Sequence, residues 1–244
     1  MGVRAEPRVV PPPDMSGIRV SVVIPALNER DTIACALDST SLPGVERIVV
    51  DGGSSDGTVE VARSLGAQRV IRSTPGRAHQ MDVGYREAVG DVIVFLHADT
   101  RLDAGWLKAI GAALGDCAVA GGAFRLAFAS PRLVYRLLEL WVRLRSRFAR
   151  LPFGDQALFL RRELIDAQGG IRSVPIFEDL DLVRLIRSSG RLALLPEQAW
   201  TSTRRYERNG LLRQGLRNHA ALLAWHLRLD RRRVAHWYGR RSAR

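Results

Sequence analysis

The residues of this chain that could do chemistry sit in short stretches at the ends of apolar runs. Pro25-Ala26-Leu27-Asn28-Glu29 follows the first run. Pro25 would end a strand ladder, and Asn28 with Glu29 can cap a helix or offer an amide and a carboxylate to a ligand at a sheet edge. Asp51-Gly52-Gly53-Ser54-Ser55-Asp56-Gly57-Thr58 follows the second run. Its glycines permit a tight turn and Ser54 or Asp56 can cap the next helix; Asp51 stands ahead of the turn and is expected to contact a base or ribose. Phe95-Leu96-His97-Ala98-Asp99-Thr100 closes a later run. On an extended backbone residues 97 and 99 face the same way, so His97 and Asp99 are expected to share a crevice. One or two such ligands, completed by phosphate oxygens and water, is how Mg²⁺ or Mn²⁺ sits on a nucleoside diphosphate; the other reading of Asp99 is a turn cap. Glu178, Asp179 and Asp181 open a helix, where the macrodipole favours acids, or else supply a general base at the mouth of a site. Gly154, Asp155 and Gln156, at the edge of another strand, could line an acceptor pocket. The five histidines, His79, His97, His219, His226 and His236, have no zinc spacing, and no Ser or Cys elbow marks a covalent nucleophile.

The elements that must position these residues follow from the apolar pattern. Residues 19–26, 45–51, 68–72 and 91–99 are expected strands, with helices over 29–39, 58–65 and 78–88 between them. Their near-continuous Val and Ile content is what a parallel sheet covered on both faces requires. Strict alternation of strand and helix implies right-handed βαβ units and an α/β fold, in which ligands bind beyond the carboxyl ends of the strands. The second half is less regular: strands over 118–128, 156–161 and 191–200, and helices over 131–150, 178–189 and 209–229, the last followed by an Arg-rich tail. Residues 1–17, with Pro11 to Pro13 and no apolar segment, are expected to form a disordered leader rather than a signal peptide.

The chain has 244 residues, a net charge of +12 and 46% hydrophobic residues, a globular composition that excludes collagen and wholesale disorder. Two cysteines are too few for a disulfide framework and suit a reducing cytoplasm. The charge is localised. Residues 130–150 hold six Arg and one Glu, residues 201–244 hold twelve Arg against one Glu and one Asp, and the remainder is slightly acidic. In 131–150, Leu133, Leu137, Leu140, Trp141, Leu144 and Phe148 form an apolar stripe, with Arg132, Arg136, Arg143 and Arg147 one position earlier. The first expectation is that this stripe packs in the core while the Arg stems snorkel. The second is that it lies on an anionic membrane surface, at the inner face of the cell membrane, where a lipid or lipid-linked acceptor would be found. A nucleic-acid partner is disfavoured, because no helix-turn-helix, RRM or zinc signature accompanies the Arg clusters.

In order, SVVIPALNE (21–29), VVDGGSSDGT (49–58), the run from Ala88 to Asp99 and FEDLDL (177–182) resemble the successive signatures of glycosyltransferase family 2 over roughly residues 19–210. GRAHQM (76–81), FLHADT (95–100) and FGDQALF (153–159) resemble a bacterial branch associated with radical-SAM/selenodomain gene sets. The resemblance implies a single Rossmann-like domain of the A-type glycosyltransferase fold over 18–206, with a basic C-terminal helix and tail over 207–244. It implies inverting transfer of a sugar from a nucleotide-diphospho-sugar donor to an acceptor hydroxyl. Pro25, Asn28, Glu29, Asp51, Ser54 and Asp56 would shape the nucleoside pocket, with Ala26, Gln80, Asp82, His97 and Ala98 also at the nucleotide-sugar. Arg77, Arg204 and Arg205 would meet the diphosphate, Asp99 with His97 would hold the divalent metal, and Asp179, beside Glu178, would be the base. Two residues depart from the family pattern. Gly52 stands where a second Asp is common, and His97 replaces the first acid of a D-x-D motif, which suits Mn²⁺ better than Mg²⁺. A nucleotidyltransferase is the alternative, though the glycine-rich phosphate loop it would carry near the first strand is absent.

Overall fold

The computed structural model describes residues 18–240; the expected leader and the last residues of the tail lie outside the described residues. The chain runs β1 (Val20–Ala26), α1 (Ile33–Ser39), β2 (Val45–Asp51), α2 (Thr58–Ser64), β3 (Arg69–Arg72), α3 (Arg77–Glu87) and β4 (Val92–Phe95). It continues with β5 (Thr100–Leu102), α4 (Trp106–Leu114), β6 (Val119–Phe128), α5 (Leu133–Ala149), β7 (Leu158–Arg161), α6 (Arg162–Ala167), α7 (Glu178–Ser189), β8 (Arg191–Thr201), α8 (Arg204–Asn209), α9 (Leu211–His226) and α10 (Arg231–Arg240). The strands form one sheet in the order β3-β2-β1-β4-β7-β6-β8-β5. β1 pairs in parallel with β2 and β4, β2 with β3, and β6 with β8, whereas β7 runs antiparallel to β4 and β6, and β5 to β8.

The continuous apolar runs have the expected cause. Val22, Ile24, Val49 and Val94 face a core closed by α1, α2 and α4, with Ile33, Leu37, Ala62, Trp106 and Ile110. Val23, Ile48, Val50 and Phe95 face the opposite core, closed by α3, α6 and α7. A strand buried on both faces has no polar register to show. Gly84 lets α3 lie directly on the sheet, because a Cβ there would run into Val23 and Val50. The ends of β1, β2 and β4 and the start of α3 thereby meet at one edge.

Several boundaries depart from expectation, each for a local reason. Helix α1 begins at Ile33 rather than Glu29: the Glu29 carbonyl accepts from Thr32 and Ile33, and Asn28 sits in the left-handed region at φ 54. The strand expected across 91–99 stops at Phe95, and a turn closed by Thr100 N donating to His97 O sends β5 to the far edge beside β8. The strand expected from Gln156 begins at Leu158, after a 3-10 turn over Gly154–Gln156 and a left-handed Ala157. The helix expected over 209–229 is α9, delimited by Gly210 (φ 79) and Arg228 (φ 54), and two further helices flank it, α8 before Gly210 and α10 in the stretch expected as an Arg-rich tail.

The core-facing expectation for the α5 stripe is overturned. Its buried face is Tyr135, Val142 and Ser146, whereas Leu133 is 73% and Phe148 79% exposed, with Leu137, Leu140, Trp141 and Leu144 also outward. Trp141 packs against His219 of α9 with ring centroids 4.4 Å apart, and α9 carries its own outward row, Leu212, Leu216 and Leu223, continued by Leu227 just past its end.

Candidate active site

Two connected clefts open at the carboxyl edge of the sheet, with volumes of about 320 Å³ and about 400 Å³. Pro25, Ala26, Glu29, Gln80, Ala98 and Asp99 line the first, joined by Thr201 and Ser202 from the end of β8. Glu178 and Asp179 line the second, with the apolar residues around them. Arg77, His97, Asp155 and Arg205 line both, so the junction between the clefts is polar and charged.

At that junction the α3 guanidinium ties two segments together. Arg77 Nε donates to the buried carboxylate of Glu178, Nη2 lies 3.6 Å from Asp179 Oδ2, and Nη1 donates to His97 Nε2 at 3.0 Å. Burial opposes the Arg77 charge, but the two carboxylates outweigh it and push its pKa up. Asp179 is aimed by its backbone surroundings: Oδ2 accepts from Gly154 N and Oδ1 from Leu180 N, both at 2.9 Å. Phe177, immediately before α7, is held at φ 73, a position disfavoured for a bulky residue and characteristic of functional sites. Gly154 leaves room there, since a Cβ would lie 3.1 Å from His97 Nε2 and 3.2 Å from Asp179 Oδ2.

Burial, with Arg77 and then Arg205, holds the His97 pKa well below its usual range, so the imidazole is neutral and accepts through Nε2. An unfolded histidine takes a proton below about pH 6.5, and the folded one does not. The stability it contributes is present above that pH and lost as the pH falls towards the folded pKa. In thermal unfolding with EDTA, the midpoint of the wild type should drop between pH 7.5 and 5.5 more steeply than that of His97→Gln. Gln can still accept from Arg77 and does not titrate; parallel curves would refute this.

A second carboxylate pair lies at the other end of the first cleft. Arg204 Nη2 is 2.5 Å from Glu29 Oε2 and 3.8 Å from Asp99 Oδ2. Burial and then the Glu29 charge raise the Asp99 pKa, against Arg204 and Arg205. Two neighbouring carboxylates with phosphate space beside them fit one divalent cation held sparsely; among the described residues no cluster of three or more His, Cys, Asp or Glu offers a closed metal cage. His97 is turned to Arg77, with Nε2 already accepting.

Several residues expected at the ligand are engaged with backbone or neighbouring side chains. Asp51 is fully buried and accepts from Gly53 N and Ser54 N, so it organises the turn it was expected to stand clear of. Asn28, Ser54 and Asp56 lace the two strand-end loops: Asn28 N donates to Ser54 Oγ, Ser55 N to Asn28 Oδ1, and Arg30 N to Asp56 Oδ2. Gln80 lines the cleft but spends its amide on the carbonyls of Ala26 and Val50. Asp82 is occupied by Arg86 and Ile171 N and lines neither cleft. Gln156 is buried, bonded to Ser146, Phe153 N and Phe124 O, and lines neither cleft. Of the expected acceptor trio, Asp155 reaches the junction; its Oδ1 has no partner, and burial raises its pKa. Tyr206 and Asn218 also line the first cleft. Tyr206 adjoins the Arg204-Arg205 pair, whereas Asn218 lies mid-helix in α9, where no sequence feature singles it out.

The Glycosyl transferase family 2 model matches residues 21–174. An uncharacterized glycosyltransferase of Mycobacterium tuberculosis is 36% identical over 101 residues, 41% of this chain and 45% of that protein, so the chain aligns with less than half the length of such relatives. A mannosyltransferase from Pyrobaculum calidifontis, solved with GDP-Man and Mn²⁺, has a TM-score of 0.61 at 19% identity, covering 93% of this chain and 73% of that one. The 1–349 fragment of S. aureus TarS, solved with UDP-GlcNAc, has a TM-score of 0.58 at 16% identity, covering 76% and 58%. These neighbours share the A-type glycosyltransferase fold, and the family match spans more than half of the sequence. This chain belongs to glycosyl transferase family 2.

Proposed function

We propose that this chain transfers a sugar from a nucleotide-diphospho-sugar to an acceptor hydroxyl with inversion at the anomeric carbon. The observation that carries the reading is the junction: a carboxylate aimed by two backbone N–H groups, where a nucleotide-sized cleft meets a second cleft. Asp179 would take the acceptor proton without a covalent intermediate. Glu178 holds Arg77, and Arg77 with Arg205 would stabilise charge growing on the leaving diphosphate. Asp99, with Glu29 beside it, would hold Mn²⁺ or Mg²⁺, which when bound supplies further neutralisation of that charge. Arg204, now on those carboxylates, would turn to the diphosphate. A thermal-shift panel of UDP- and GDP-sugars with Mn²⁺ tests the reading: a midpoint rise for one donor, absent in Asp99→Ala, is expected, and no response to any donor would oppose it.

The signatures GRAHQM, FLHADT and FGDQALF support placement in the radical-SAM/selenodomain-associated branch. Residues 18–206 would form the catalytic unit and 207–244 its basic appendage, in a cytoplasmic protein held peripherally on the inner face of the membrane. The outward Leu rows of α5 and α9 support that location, because contiguous exposed apolar surface marks an interaction site. The exposed Arg132, Arg143, Arg147, Arg150, Arg213 and Arg228 beside them match an anionic bilayer and would repel a second copy. In co-sedimentation, vesicles containing phosphatidylglycerol, an anionic lipid that gives the bilayer a negative surface potential, should bind the wild type markedly better than Leu137→Glu/Leu216→Glu. Equal binding, or a concentration-dependent dimer in place of binding, would overturn this.

A further inference from the structure

We infer that the second cleft is the acceptor site and that it takes a hydroxyl borne on an apolar chain, an isoprenoid or fatty alcohol; this rests on the reading of Asp179 as the base. The cleft has a polar inner end and an outer wall of carbon. At the inner end Arg77, His97, Asp155 and Arg205 border the first cleft, with Asp179 beside them. The outer wall is Val174, Pro175 and Ile176 from the segment before α7, Ala221 and Leu222 of α9, and Ala235 of α10. A sugar or phosphate acceptor would need donors and acceptors along that wall, and the two polar side chains that line the cleft away from the junction, Asn218 and Tyr238, are already engaged with one another. Tyr238 Oη donates to Asn218 Oδ1 at 2.8 Å, Asn218 Nδ2 donates to Tyr206 Oη at 3.4 Å, and Gln214 Nε2 donates to Asn218 Oδ1 at 2.7 Å.

The wall is a built feature of this chain rather than a gap at its edge. Arg231 holds α10 in place by donating to Asp181 at 2.5 and 2.8 Å, and Arg217 donates to the Tyr238 carbonyl. Beneath it Phe177, Leu180, Ala221, Ala224 and Val234 pack as one cluster. Apart from Val174, the outer-wall residues lie beyond the stretch that the family model matches. An alcohol entering here would point its hydroxyl at Asp179 and leave its chain among Val174, Ile176 and Ala235. In the transfer the acceptor oxygen bonds to the anomeric carbon, its proton passes to Asp179, and the bond to the nucleoside diphosphate breaks with the electron pair leaving on the diphosphate oxygen.

The test is calorimetric binding of n-hexanol, n-octanol, n-decanol and glycerol to the full chain. Each methylene buried should tighten binding about fourfold, and glycerol should not bind. Ala235→Trp, which fills the cleft from α10, should weaken decanol at least tenfold; Ile176→Asp is the second variant, and each is compared at an unfolding midpoint close to wild type. A flat chain-length series, or decanol affinity unchanged in both variants, overturns the acceptor class, the latter placing the alcohol on the outward face of α5 and α9. The base reading fails separately: if Asp179→Asn keeps its turnover while decanol still binds as described, the cleft assignment stands and the base is another group.

Discussion

Asp179→Asn should lower sugar transfer by about 10²- to 10⁴-fold, the range a positioned general base supplies, with donor affinity within about threefold of wild type. Asn keeps the volume of Asp and can still accept from Gly154 N, so the fold should lose only about 1 kcal/mol, the worth of one hydrogen bond. Turnover and stability therefore separate at this residue. Near-wild-type turnover in a folded variant would remove Asp179 from the chemistry. Asp155, whose unpartnered carboxyl oxygen lies at the same junction, would then be the next carboxylate to replace.

Arg77→Met should be damaging in two ways at once. The buried Glu178 carboxylate takes its hydrogen bond from Arg77, and stranding a buried charge costs about 3 kcal/mol or more. For a chain of this size that is a fall of roughly 6–12 °C in the unfolding midpoint. Donor binding should also weaken, because the same guanidinium faces the first cleft. The double variant Arg77→Met/Glu178→Gln separates the two effects. Removing both charges should restore most of the midpoint, since the cost lies in the unpaired partner, yet leave donor affinity low. Recovery of both would mean that Arg77 acts through folding alone; recovery of neither would mean that Glu178 is not what Arg77 compensates.

The sheet was legible because of where it lies. Val22 and Ile24 enter one core and Val23 the other, so β1 appears as an unbroken apolar run, and the residues just past such runs do collect at one edge. What individual polar residues do there was harder to see. Asp51 looked free for a ligand because it precedes its turn, but a Gly-Gly turn leaves bare N–H groups within reach, and a buried carboxylate is drawn to them. Gln156 and Asp82 were absorbed in the same way by backbone groups far along the chain. The helical period of α5 identified an amphipathic stripe but not its direction. The helix has a second, smaller apolar face in Tyr135 and Val142, and that face fits beneath it against Phe128 and Leu126. RRRVAHWYGR reads as part of an Arg-rich tail; in the structure Asp230 caps the first turn of α10 and Asp181, fifty residues away, anchors it, and neither contact is visible in local composition.

The most direct test of the proposed reaction is product analysis on the purified chain with Mn²⁺, the donor selected by thermal shift and a long-chain alcohol acceptor, followed by proton NMR. Inverting transfer predicts one nucleoside diphosphate released per glycoside formed, with the glycoside in the anomeric configuration opposite to the donor's. Release of pyrophosphate with a nucleotidylated product, or a glycoside that retains the donor's configuration, would contradict it.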